Sequence, residues 1–231
     1  MSGPLPPIPL HDLAAIGPYF TLEGPGVNDG DWQPARVLLG DADELGRVID
    51  EVAGRLGSAQ RWIAASVFYQ GWSARLTAIY TGSAALCGAV PDLCAGVVRY
   101  QPGWSAPVAL RAVPLRSVTT QAGWRHMLDD HLEPLAAAIR RQVRIGGHLL
   151  RGNVASALAG ALAVLAQTRQ ERLESLIIRS WAQPADIAGY GRWLQTCDGP
   201  RYARTTCCGY EALGQGGRCA DCSLNWLRQP R

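Results

Sequence analysis

Apolar positions recur at helical spacing through most of this chain, and the interruptions between them mark its elements. Leu45, Val48, Ile49, Val52 and Leu56 fall three and four apart, which predicts an amphipathic helix ending at Gly57. Asp41 and Glu44 form a capping pair at its start. Ser58 opens a second stretch through Trp62, Ile63 and Val67, interrupted at Gly71 and resumed from Trp72 to Tyr80; it predicts one bent helix or two consecutive ones. Between Cys94 and Arg116 the pattern shortens to Val97–Tyr100 and Val108–Val113, joined through Gln101, Pro102 and Gly103, and this predicts a β-hairpin. Helical spacing returns at Ala122 with Trp124, Met127 and Leu128. It breaks near Pro134 and continues through Leu135, Ile139 and Val143, giving two helices or one kinked helix.

The segment from Gly146 to Gln167 is rich in alanine and glycine and suits the central helix of a bundle. Its apolar run, Val154 to Ala166, is shorter than the roughly 18 to 20 residues of a membrane-spanning helix, so a buried helix and no membrane span are expected. Arg169 to Arg179 predicts a further helix, and Ser180 to Leu194, with Pro184 in its first turn, a last one. After Cys197 no apolar period survives. Residues 1–34 hold seven prolines and five glycines and predict an irregular arm. The expected fold is therefore α+β, mostly helical, with a small antiparallel β-hairpin. Residues 1–195 form the mainly helical domain with its proline-rich arm, and residues 196–231 a loop-rich C-terminal metal-binding segment.

Composition narrows the chemistry. At 48% hydrophobic and 18% charged, the 231-residue chain is apolar enough to fold. Every one of its 22 basic side chains is arginine, which excludes a phosphate-loop lysine, a Schiff base and a lysine general base. A net charge of +3 is too small for a nucleic-acid-binding domain. From Arg192 onward six arginines face three acids, so the positive excess lies in the tail, as a solvated surface or as a docking face for an anionic partner. The first ten residues lack the basic start and apolar run of an export signal, and the expected location is the cytoplasm, with peripheral membrane association left open.

Seven cysteines, at 87, 94, 197, 207, 208, 219 and 222, make an odd set, and four of them crowd into the tail. Without an export signal a disulfide framework is not expected, and a metal cross-link is the alternative. Cys207, Cys208, Cys219 and Cys222 read C-C-x10-C-x2-C, with glycines between that let the chain double back. Spacing alone leaves structural zinc and an iron–sulfur cluster open. The missing gap inside the first pair favours the cluster, because adjacent cysteines reach two irons with less strain than one tetrahedral ion.

At these residues the chain resembles the FhuF-type ferric-siderophore reductases, whose carboxyl-terminal [2Fe-2S] site has the same spacing. The resemblance extends to Arg204-Thr205-Thr206-Cys207-Cys208-Gly209-Tyr210 and, more loosely, to Gly152-Asn153-Val154-Ala155-Ser156-Ala157-Leu158. It implies that Cys207, Cys208, Cys219 and Cys222 bind a [2Fe-2S] cluster and that the protein is a one-electron oxidoreductase. Its substrate would be a ferric siderophore, a hydroxamate type among the candidates, reduced from Fe(III) to Fe(II) so that the iron is released. No catalytic residue beyond the cluster ligands is required, while Arg204 and Arg218 are candidates to hydrogen-bond the cluster sulfurs, offset their charge or meet substrate. No G-x-G-x-x-G follows a strand, so electrons are expected from a separate donor, a ferredoxin or a flavin-dependent reductase. Two other readings stay open: a zinc-stapled, redox-silent binding module, and an iron–sulfur redox sensor.

The remaining candidates read as structural. Cys87, Cys94 and Cys197 are expected as small buried residues. His126 and His131 flank Asp129 and Asp130, but five residues of α-helix turn them about 140° apart, so both are expected on the helix surface. The eight tryptophans are expected to anchor the core or line a cleft.

Overall fold

The computed structural model describes residues 4–26, 32–103, 107–173, 175–176, 187–213 and 217–225. The proline-rich arm is largely irregular, as its composition predicts, but helix α1 (Leu10–Ile16) and a 3-10 turn at Pro18–Phe20 interrupt it. Leu13, Phe20 and Leu22 bury themselves in the core, so the arm is part of the packed structure. It also supplies strand β1 (Gln33–Pro34) and leads into the short helix α2 (Arg36–Gly40). Helix α3 (Ala42–Leu56) follows with the expected signals: Asp41 Oδ1 accepts from the N–H groups of Asp43 and Glu44, both at 3.0 Å, and Gly57 ends the helix in the left-handed region.

Helix α4 (Arg61–Cys87) runs 27 residues without a break at Gly71. Its side chains are buried around most of its circumference, and that burial outweighs the roughly 1 kcal/mol a mid-helix glycine costs. Four short strands come next or near: β2 (Val90–Pro91), β3 (Val98–Tyr100), β4 (Leu110–Ala112) and β5 (Ser117–Val118). β3 and β4 form the predicted hairpin, with Val98 opposite Ala112 and Tyr100 opposite Leu110. β1 adds antiparallel to β3, and β2 pairs with β5.

Helix α5 (Thr120–Met127) passes through a π-helical turn at Leu128–Leu132 into α6 (Glu133–Gln142), where Pro134 occupies the tolerated first turn. The two histidines face differently. His131 is fully buried beside Trp72, whose indole N–H donates to Nδ1 at 3.4 Å, while His126 bonds Asp92 at 2.9 Å. The surface position expected for His131 is thus corrected: its ring packs against Trp72 in the core, with centroids 5.5 Å apart.

Helix α7 (Gly147–Arg169) is the expected central partner of α4, and these two make the most extensive helix–helix contact of the described residues. By length and composition α7 could cross a membrane, but most of it is buried inside the protein. Of the helix expected at Arg169–Arg179, Arg169 ends α7, residues 173 and 175–176 are helical, and 174 and 177–179 lie outside the described residues; of that expected at Ser180–Leu194, residues 180–186 lie outside them. Where the latter is described, it is not helical: β6 (Gly191–Thr196) pairs antiparallel with β7 (Gly199–Arg204). Trp193 stands opposite Tyr202 with ring centroids 5.3 Å apart, a cross-strand pair that a helix would forfeit. Cys197 is exposed in the turn of this hairpin rather than buried, and Cys87 and Cys94 are half-buried.

Candidate metal centre

Strand β7 delivers Arg204 into the core, and three residues later the chain presents Cys207 and Cys208. Gly209 is essential to that bend. Its φ of +85° lies in the left-handed region, and a Cβ there would fall 2.6 Å from the Trp62 ring. Its N–H points back at Cys207 Sγ, 3.4 Å away. The second pair sits on a tight turn in which the Cys222 N–H donates to the Cys219 carbonyl at 3.0 Å. The Asn225 side-chain amide donates to the same carbonyl, also at 3.0 Å.

The two pairs meet through Cys208 and Cys219, whose sulfurs stand 3.6 Å apart. Cys207 adjoins Cys208 in the chain, and Cys222 closes the turn that begins at Cys219. Among the described residues no group of three or more histidine, cysteine or acidic side chains surrounds a single point closely enough to hold a metal ion. The donor set nevertheless fits a thiolate-held group. Two thiolates on one tetrahedral metal, with bonds of about 2.3 Å, place their sulfurs about 3.8 Å apart, close to the Cys208–Cys219 spacing. A group held by thiolates would draw on Cys207, Cys208, Cys219 and Cys222.

Electrostatics separates the thiols. Cys208 is pushed below the usual thiol range by the hydrogen bond from the Cys219 thiol, aided by the Tyr210 N–H and the Arg204 charge, and Cys219 is held up as the donor of that bond. Burial pushes Cys207 up. Cys208 and Cys222 are buried, and Cys207 and Cys219 half-buried.

Arg204 is the pivot. Its side chain is 1% exposed, yet all three guanidinium nitrogens have partners: Nε donates to Asp221 Oδ2 at 3.0 Å, Nη1 to Asn153 Oδ1 at 3.2 Å and Nη2 to Ser156 Oγ. Its backbone N–H also donates to the Asp221 carbonyl at 3.1 Å. Asp221 lies between Cys219 and Cys222, so one buried cation ties the cysteine turn to helix α7. The chain continues into α4, because Asn153 Nδ2 donates to Ser66 and Gln70 donates to Ser156. Gly152 completes the fit: a Cβ on it would lie 2.0 Å from Thr206 Oγ1, the residue just before the cysteine pair. Thr206 Oγ1 is buried without a hydrogen-bond partner among the described residues.

The structure therefore joins the two segments that carry the family resemblance, Gly152–Leu158 and Arg204–Tyr210. Arg218 behaves differently, pairing with Glu211 at 3.6 Å on the exposed surface. Asp221, Asn153 and Ser156 were not legible as site residues. The available signals were an acid inside a cysteine knuckle and a polar pair three apart in an otherwise apolar helix. This chain matches no protein-family model and no curated protein.

Proposed function

We propose that this protein is a ferric-siderophore reductase of the cytoplasm, in which Cys207, Cys208, Cys219 and Cys222 hold a [2Fe-2S] cluster. The observation that carries the reading is the sulfur neighbourhood built on Cys208 and Cys219, clamped to the helical core by a buried arginine. When bound, such a cluster supplies one electron at a time without protons. The chain's own residues supply the rest. Backbone turns at Gly209 and Cys219–Cys222 fix the thiols, and Arg204 offsets thiolate charge while Asp221, Asn153 and Ser156 hold it in place. A single electron converts the chelated Fe(III) substrate to Fe(II), for which hard oxygen ligands such as hydroxamates have far lower affinity, and the metal is released. No nucleotide-binding loop competes for the role of donor in the sequence, so a ferredoxin or a flavin-dependent reductase supplies the electron.

The test is the visible spectrum of protein purified without oxygen, with iron, sulfide and zinc analysis, before and after dithionite. A brown protein carrying about two irons and two sulfides, bleached on reduction, and a ferric hydroxamate assay showing catalytic iron release are expected. A colourless protein with one zinc after attempted cluster reconstitution would establish the redox-silent module instead. A cluster-bearing protein that does not accelerate iron release would establish a sensor.

A further inference from the structure

A cleft of about 600 Å³ opens against the cysteine turn, with Ala220 and Asp221, the two residues between Cys219 and Cys222, in its lining. The arm around Pro18–Phe20, the facing sides of α4 and α7, and the β6–β7 hairpin form the remaining walls. Its size is that of a small-molecule site. The arm is held in place by Arg75, which is fully buried and donates to the carbonyls of Pro18 at 2.6 Å, Val108 at 2.7 Å and Thr21.

The chemistry of the lining is specific. Most of it is apolar, and of the three large apolar side chains exposed among the described residues, Tyr19 and Val164 both belong to it. Among the described residues two charged side chains line it, both partnered: Arg201 meets Asp198 at 3.1 Å on the exposed rim, and Asp221 meets the buried Arg204 at 3.0 Å. Gln70 and Ser156 bond each other at 3.2 Å. Inside the rim, the described walls offer an entering anion no buried unpaired cation to replace its hydration, whereas an uncharged molecule with an apolar exterior would lose little.

We propose that this cleft is the binding site for the ferric chelate and that it selects a chelate with no net charge and an apolar outer face. The assignment rests on the reductase reading, because only that reading requires a chelate beside the cysteine turn. Gly160 gives a clean handle. It lines the cleft from α7, is exposed, and a Cβ there meets nothing within 4 Å, so G160L places its side chain in open cleft space and improves helix propensity. Val164→Arg adds a charge to the same wall from another exposed position.

The experiment is calorimetric titration of the full chain with gallium(III) chelates, which mimic ferric ones but cannot be reduced. The probes are an uncharged gallium trihydroxamate and a trianionic gallium tricatecholate. The neutral chelate is expected to bind about tenfold tighter or more than the trianion, and G160L and V164R each to weaken it by a similar factor, with the visible spectrum and unfolding midpoint unchanged. Absence of binding to wild type, equal affinity for the two probes, or unchanged affinity in both variants would overturn the assignment. The two proposals fail separately. A protein without iron and sulfide whose gallium trihydroxamate binding is lost in G160L retains the cleft and loses the reductase. A cluster-bearing protein that reduces the ferric chelate equally fast in G160L retains the reductase and loses the cleft.

Discussion

Arg204 shows how much a single buried charge can organise. A guanidinium with its side chain at 1% exposure would be strongly destabilising alone, but the Asp221 carboxylate neutralises it and Asn153 and Ser156 occupy its remaining nitrogens. Removing only the cation leaves Asp221 with its charge and no partner. R204M is therefore expected to lose about 3 to 5 kcal/mol in urea unfolding, and the double variant R204M/D221L less than that. A double variant as unstable as R204M would mean that the charge pair is not what holds the turn. In cluster-loaded protein, R204K is expected to keep more of the reduction potential than R204Q, since loss of the nearby positive charge favours the oxidised, less negative cluster. Arg204 was legible as a candidate beside the cysteines, but its depth was not, because nothing in its neighbours along the chain signals burial.

At the scale of elements, the junction between α7 and the cysteine segment depends on a missing side chain. Glycine inside a helix ordinarily costs about 1 kcal/mol relative to alanine, so G152A would stabilise an isolated α7. Here the new methyl would collide with Thr206 Oγ1 at 2.0 Å. G152A is expected to destabilise the protein in urea, and T206A in the same chain to restore most of the loss, since it removes the colliding atom. Additive effects of the two substitutions would place the collision elsewhere. Legibility at this scale follows how local the cause is. The α3 helix was readable down to Asp41 and Gly57 because its cap and stop are properties of adjacent residues. The residues from Gly191 to Leu194 read as helix and form a strand, because the partner that decides the matter, Gly199–Arg204, is recognisable as a strand only once it is paired.

Across the whole molecule, the long α4–α7 pair, the arm and the hairpin enclose one core, and a buried histidine makes its stability depend on acidity. His131 is pushed down to about 4 by burial, from an ordinary value of 6.5. It is neutral in the folded protein, while the unfolded chain takes up a proton below about pH 6.5. Its contribution to stability is thus fully present above pH 6.5 and declines as pH falls toward 4. The decline approaches about 1.4 kcal/mol per pH unit and totals on the order of 3 kcal/mol. Urea midpoints of wild type and H131N measured from pH 7.5 to 4 are expected to converge as the pH drops. Parallel curves would mean that His131 titrates normally in the fold.

The sequence by itself determined the helical character of the chain, the β3–β4 hairpin, the absence of lysine chemistry and the crowding of four cysteines into the tail, because these depend on periodicity, composition and short spacings. Tertiary structure decided the rest. It carried α4 straight through Gly71, buried His131 against Trp72, converted Gly191–Thr196 into a strand, buried Arg204 between α7 and the cysteine turn, and opened a cleft against that turn. Each of these rests on contacts between residues far apart in the chain, and a local pattern of side chains carries no record of such partners.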